Sequence, residues 1–252
     1  MLVVAHISDL HFDGSKDHRA RAQAVMDYLN DRADGIDALV VTGDIADAGT
    51  PSQYMEAAAV LQTPIPMLIA PGNHDNRENF SRDLLGVHPT AGPINFAQTV
   101  GGALILSCDS SIPGRPEGYL ADETIEWMDA EITAAGDVPV IVAVHHPPVT
   151  LDMPFMDSIR MQGVERLGAL IVKHSNIITF LCGHAHTGAV TRYYRRRVCI
   201  APGVASTLNL PFENDGIINE SQPAGLALHV IDHRWRVITH FRAVEVRGRR
   251  KR

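Results

Sequence analysis

The sequence is poor in cysteine. It has three, Cys108, Cys182 and Cys199, an odd number with no CxxC pair, and each lies in an apolar, strand-like stretch. That argues against a disulfide framework and reads as buried thiols in a reducing compartment. Long apolar runs are missing too, and none approaches the roughly 20 residues that span a bilayer. The opening MLVVAHISDLHF lacks a basic flank and is interrupted by His6, Ser8 and Asp9 too soon for a signal peptide. A cytoplasmic protein without a membrane span is expected. Nor is there an excess of positive charge: the formal charge is −7, which disfavours nucleic-acid backbone as a partner. Internal repeats and Gly/Ser linkers are absent, so one domain over residues 1–245 is expected, followed by a basic, disordered tail at 246–252 that ends in RGRRKR.

What is present is ordinary for a globular chain of 252 residues, with 45% apolar and 20% charged residues. Apolar strand-like runs alternate with helical periodicity. LVVAHI (2–7) precedes a helical stretch with Ala22, Val25, Met26, Leu29 and Ala33 on one face. ALVVTG (38–43) precedes a helix start in which Thr50 is the N-cap, Pro51 the first helical residue and Gln53 the partner of a capping box. Strands are expected at 66–70, 103–109, 138–146 and 176–183, and helices from Asp122 to Gly136 and over 164–174. The last third reads as two hairpins, VTRYYRRRVCIA and LALHVID with RWRVITHFRA. The class is α/β, parallel early and antiparallel late. Residues 150–162 and 206–225 have little periodicity and read as mobile loops or lids.

The unusual residues cluster at the carboxyl ends of the apolar strands, in SDLH (8–11), GDIAD (43–47), GNHD (72–75), HHPP (145–148) and GHAH (183–186). Ligands bind at that edge of an α/β sheet. Each block alone has an ordinary explanation as a turn, a cap or a satisfied histidine. Five such blocks, in order and always at a strand end, point instead to one shared site. Imidazole nitrogen with carboxylate and amide oxygen is a ligand set for Zn, Mn or Fe.

The order DxH, GDxx, GNHD, H and GHxH resembles the calcineurin-like binuclear metallophosphoesterases, and all five blocks stand within residues 9–186. Spacing and length are most similar to the bacterial class III cyclic nucleotide phosphodiesterases and their glycerophosphodiesterase relatives. The resemblance implies a four-layer αββα sandwich holding two metal ions, Mn, Fe or Zn. It implies that Asp9, His11 and His186 bind one metal, that Asn73, His145 and His184 bind the other, and that Asp44 bridges them. His74 is then the histidine that faces the phosphoryl group and assists the leaving oxygen, with Asp75 orienting its neighbours. His146 is open between packing and contact with substrate.

The implied reaction is hydrolysis of a small phosphodiester, such as a 3′,5′-cyclic nucleotide (cAMP), by a metal-bound hydroxide. The rival readings are a glycerophosphodiesterase, a phosphomonoesterase or protein phosphatase, and a non-catalytic scaffold on the same fold. The implied partner is the small diester, with self-association into a homo-oligomer left open. His6, His229, His233 and His240 read as structural or exposed, and YYRRR (193–197) as a solvated hairpin face.

Overall fold

A computed structural model of the chain describes residues 1–213 and 216–246. The chain runs from β1 (Leu2–Ile7) through α1 (Lys16–Asn30), β2 (Ala38–Thr42) and α2 (Pro51–Val60) to β3 (Met67–Ala70). A short helix α3 (Arg77–Asn79) continues into one π-helical turn, Phe80–Leu84. Next come β4 (Phe96–Val100), β5 (Ala103–Cys108), β6 (Gly118–Tyr119), α4 (Asp122–Ala135) and β7 (Val140–Val144). Then follow α5 (Pro154–Ser158), β8 (Met161–Gln162), α6 (Val164–Lys173) and β9 (Ile177–Cys182). The chain closes with β10 (Ala189–Tyr193), β11 (Arg196–Ile200), β12 (Thr207–Leu208), β13 (Ile218–Asn219), β14 (Ala224–Ile231) and β15 (Val237–Val244).

Two sheets carry the architecture, ordered β15-β14-β1-β2-β3 and β10-β11-β9-β7-β5-β4. The inner strands β1, β2 and β3 are parallel, as are β5, β7, β9 and β11. Antiparallel strands close the edges: β4 and β10 on the second sheet, the β14–β15 hairpin on the first. Because the inner strands are covered on both faces, they read as continuous apolar runs. In β1, Leu2 and Val4 face the other sheet, while Ala5 and Ile7 pack with Val25, Met26 and Leu29 of α1 and Tyr54 and Ala57 of α2. On the far side, Met128 and Ile132 of α4 and Leu167, Leu170 and Ile171 of α6 cover β5, β7 and β9. The result is the four-layer αββα sandwich. Each fully buried large side chain contributes about 1.5–3 kcal/mol through burial, so a Leu29→Ala truncation costs about 2–5 kcal/mol once the cavity is included.

Helix ends follow local chemistry. Ser15 Oγ accepts from His18 N at 3.2 Å to start α1. Gln53 Oε1 accepts from Thr50 N at 3.3 Å and Ala48 N at 3.0 Å around the Pro51 start of α2. Gly136, at φ 63, ends α4.

The structure departs from the sequence expectations in several places. Ala33 leaves the α1 face because the helix stops at Asn30 and a 3₁₀ turn, Ala33–Gly35, follows. Strand β4 has no apolar signature because nearly all of it is exposed. The stretches 150–162 and 206–225 hold α5 and β8, and β12 and β13. His6 and His229 are buried between the sheets, whereas His233 and His240 are exposed. His6 lies 2.8 Å from Thr42 Oγ1 and 3.2 Å from His229 Nε2, and His229 Nδ1 lies 2.9 Å from Thr239 Oγ1. That satisfies polar groups which would otherwise be costly in this layer. Of the expected basic tail, only Val246 lies within the described residues.

Candidate metal centre

The five polar blocks converge at the carboxyl end of the parallel strands. Asp9 and His11 follow β1, Asp44 follows β2, and Asn73 and His74 follow β3. His145 follows β7, and His184 and His186 follow β9. Main-chain bonds stitch these ends together. Leu10 N and His11 N both donate to Asp44 O at 2.9 Å, Gly183 N donates to His145 O at 2.9 Å, and Ala205 N donates to Asp9 O at 3.0 Å.

The backbone here is unusual. Asp9, His11, Asp44, His184 and His186 all have left-handed φ, between 43° and 68°. Non-glycine residues rarely adopt it, and it concentrates at functional sites. Glycine is required beside them by close approach: a Cβ at Gly72 would lie 2.2 Å from Asp44 Oδ1, and one at Gly43 would lie 2.6 Å from His145 Nδ1.

The donors form two groups that meet at Asp44. In the first, His11 Nε2 lies 3.1 Å from His186 Nε2 and 3.6 Å from Asp44 Oδ2, and His186 Nε2 lies 3.5 Å from Asp9 Oδ1. One donor atom from each of Asp9, His11, Asp44 and His186 lies within 4.8 Å of the others. In the second, Asn73 Oδ1 lies 3.1 Å from His145 Nε2 and 3.0 Å from His184 Nδ1, and His145 Nε2 lies 3.3 Å from Asp44 Oδ2.

The outer nitrogens show what these groups suit. His11 Nδ1 lies 3.1 Å from Asp47 Oδ1, His145 Nδ1 donates to Thr42 O at 2.6 Å, and His186 Nδ1 lies 3.2 Å from Ser206 O. With the outer nitrogen carrying the proton, each neutral ring aims an Nε2 lone pair at its neighbours. Lone pairs 3.1–3.3 Å apart repel unless a cation lies among them. Asp9 Oδ2 is buried and has no hydrogen-bond partner. Orphaned carboxylate oxygen, amide oxygen and inward imidazole nitrogens fit divalent transition metals.

Without metal, protons and carboxylates stand in for that charge balance. Burial would push Asp44 up, but His145, His11 and His74 hold it well below the usual carboxylate range. Burial works against protonation of His145, yet Asp44 and Asp9 raise it to about 9. Burial together with the charge of His145 lowers His184 to about 3.

His74 stands at the mouth, its side chain 41% exposed, edge-on to His11 with ring centroids 4.7 Å apart. Its N–H donates to Asp44 Oδ1 at 2.9 Å, and its Nδ1 lies 2.7 Å from Asp47 O. Asp75 is half-buried beneath and accepts from Gly72 N, Ile45 N, Ala46 N and Tyr54 Oη at 2.8–3.1 Å. It braces the backbone of two blocks rather than the side chains of Asn73 or His74. His146 is set back from the rim: its ring is fully buried, with Nδ1 2.9 Å from Ser110 Oγ and Nε2 3.2 Å from Pro116 O, beside His145 and His184. Asp47 and Tyr54 went unpicked by the sequence reading. Asp47's one signal was its place three residues after Asp44 in GDIAD.

Comparison with known proteins agrees with this geometry. The sequence profile of the calcineurin-like phosphoesterases matches residues 2–188. The chain is 32% identical over 240 residues to the glycerophosphodiester phosphodiesterase GpdQ of Enterobacter lignolyticus, covering 90% of this chain and 86% of that one. It is 28% identical to a probable cyclic nucleotide phosphodiesterase of Rhodococcus erythropolis, covering 91% and 80%. A dimetal phosphatase from Danio rerio shares the fold, with a TM-score of 0.71 at 13% identity over 97% of each chain.

Proposed function

Because the chain belongs to the calcineurin-like phosphoesterase family, we propose that it is a metal-dependent phosphoric diester hydrolase acting on small diesters such as 3′,5′-cyclic nucleotides. One observation carries the reading: inward-facing imidazole lone pairs and the orphaned Asp9 Oδ2 enclose two donor groups that share Asp44. Asp9, His11 and His186 would hold one metal ion and Asn73, His145 and His184 the other, with Asp44 between them. Mn, Fe and Zn suit this N/O set. Bound there, two such ions supply Lewis acidity toward a phosphoryl oxygen and lower the pKa of water.

The chain's own residues do the rest. Asp47 O fixes His74 Nδ1, so that Nε2 is the nitrogen left to hold a proton for the departing oxygen. The outer hydrogen bonds of His11, His145 and His186 keep their rings from rotating. A single unit over residues 1–245 suffices for this chemistry. Three buried free thiols suit a cytoplasmic setting. No helix among the described residues is long and apolar enough to cross a membrane.

A glycerophosphodiester is the second reading, favoured by the 32% identity to a relative named for that activity. The test is kcat/KM of the Mn-loaded protein on bis(p-nitrophenyl) phosphate and p-nitrophenyl phosphate, then on cAMP and glycerophosphoethanolamine. A diester preference of about tenfold or more, equivalent to about 1.4 kcal/mol, supports the ester class, and the second pair separates the two substrates. A monoester preference would remove the diester assignment.

A further inference from the structure

At the end of the sandwich remote from the metal centre, two turns carry a concentration of positive charge. The β10–β11 turn region, RYYRRR (192–197), and the β14–β15 turn, DHRWR (232–236), together hold six arginines against one aspartate, in a chain of formal charge −7. Strand β11 runs parallel to β9, and β14 antiparallel to β1. Both turns therefore lie at the amino end of the parallel strands, opposite the rim that carries Asp9, Asp44 and His184.

The two turns are neighbours. Arg197 Nη1 donates to Val237 O, and Cys199 Sγ lies 3.4 Å from Thr239 Oγ1, so β11 and β15 stack in the same direction across the two sheets. Two residues back along these strands stand Arg195 and Trp235. Asp232 pairs with Arg236 at 2.6 Å. Among the described residues, no carboxylate pairs with the guanidinium of the exposed Arg192, Arg195 or Arg234, although Arg234 N donates to Asp232 Oδ1 at 2.9 Å. An aromatic ring accompanies each turn: Tyr194 is 51% and Trp235 37% exposed. Each is seated on a glycine, Tyr194 against Gly168 of α6 and Trp235 against Gly102.

Arginine pairs well with phosphate, and Tyr and Trp settle at the headgroup level of a bilayer with an apolar body and a polar tip. Turns at the end of a sandwich, rather than a groove, carry the charge, which suits a flat anionic surface better than a polynucleotide tracked along a channel. We propose that this end of the protein docks on anionic phospholipid headgroups, leaving the metal centre open to the aqueous phase. The docking does not depend on which phosphoester is hydrolysed.

The test is cosedimentation of the full-length protein with phosphatidylcholine vesicles, pure or doped with phosphatidylglycerol. Binding is expected only to the doped vesicles and to weaken with added salt. The double variant Arg195→Glu/Arg234→Glu should bind at least tenfold more weakly, and Trp235→Ala several-fold more weakly. Hydrolysis of bis(p-nitrophenyl) phosphate should be unchanged in each. A chain ending at Val246 separates this patch from the basic terminus: retained vesicle binding is expected. Loss of binding on that truncation with no effect of the arginine reversals would overturn the proposal. So would tighter binding to single-stranded polynucleotide than to doped vesicles, or equal binding to both vesicle types.

Discussion

Asp47 touches two histidines of the candidate centre at once: its main-chain oxygen lies 2.7 Å from His74 Nδ1, and its carboxylate lies 3.1 Å from His11 Nδ1. One residue thus ties a metal-facing imidazole to the imidazole at the mouth. Asp47→Asn keeps the carbonyl and removes the charge, so His74 should stay oriented while His11 becomes a poorer ligand. Metal affinity should fall about 10–100-fold. Titration with Mn²⁺ by calorimetry checks this, and excess metal should restore most of the turnover.

Removing a donor from the second group should be harsher. His145→Ala or Asn73→Ala leaves the other donors of that group without a complete set. One metal equivalent, rather than two, should survive dialysis, and kcat should fall by about 10³-fold or more, a loss of about 4 kcal/mol in transition-state stabilisation. Elemental analysis beside activity measures both, and a fully active variant with two metals would reject the ligand assignment.

His74→Ala should separate binding from chemistry. Both metals stay, and kcat falls by about 10²–10⁴-fold on alkyl diesters, whose leaving oxygen needs a proton. On p-nitrophenyl diesters the loss should be smaller. A linear free-energy plot against leaving-group pKa, steeper for the variant, is the expected result.

Metal uptake should depend on pH in a fixed direction. In the metal-free centre burial disfavours the charged form of His145, but Asp44 and Asp9 raise its pKa to about 9, so it carries a proton at neutral pH. A metal must displace that proton. Affinity at this group should therefore rise with pH from neutrality to about 9, by at most about tenfold per pH unit for one proton released. Calorimetry in buffers of different ionisation enthalpy counts the proton directly.

The pair His6 and His229 predicts an acid-side loss of stability. Burial lowers His229 from 6.5 to about 3 and lowers His6 as well. The unfolded chain then binds more protons below 6.5, so this contribution is complete above 6.5 and is lost as pH falls toward 3, at up to about 1.4 kcal/mol per pH unit for each group. His229→Leu should be less stable at neutral pH by about 1–3 kcal/mol, because His6 Nδ1 and Thr239 Oγ1 lose their partner. Its stability should fall less steeply on acidification, by one proton's worth. Urea unfolding at several pH values gives both quantities.

Much of the centre was legible because its residues interrupt apolar strands at their ends, where side chains of that polarity stand out. Asp9, Asn73 and His184 needed no tertiary information to be noticed. Asp47 did, since a carboxylate in a turn has a common local explanation and its use depends on where His11 and His74 arrive. His145 and His146 adjoin in sequence and could not be told apart there; the backbone at the end of β7 sends one ring toward Asn73 and the other toward Ser110 and Pro116. The link between His6 and His229 spans 223 residues and has no local signature. Strand β4 escaped because an exposed edge carries no apolar period.

The left-handed backbone at Asp9, His11, Asp44, His184 and His186 also limits what mutation can make of the centre. That conformation admits glycine readily, asparagine, aspartate and histidine with little strain, and β-branched residues poorly. Drift at these positions therefore has few tolerated exits, and most of those are themselves able to hold a metal or leave a small gap. A descendant of this chain that abandoned catalysis would be expected to carry asparagines and glycines along the rim, a recognisable scar rather than a repacked surface.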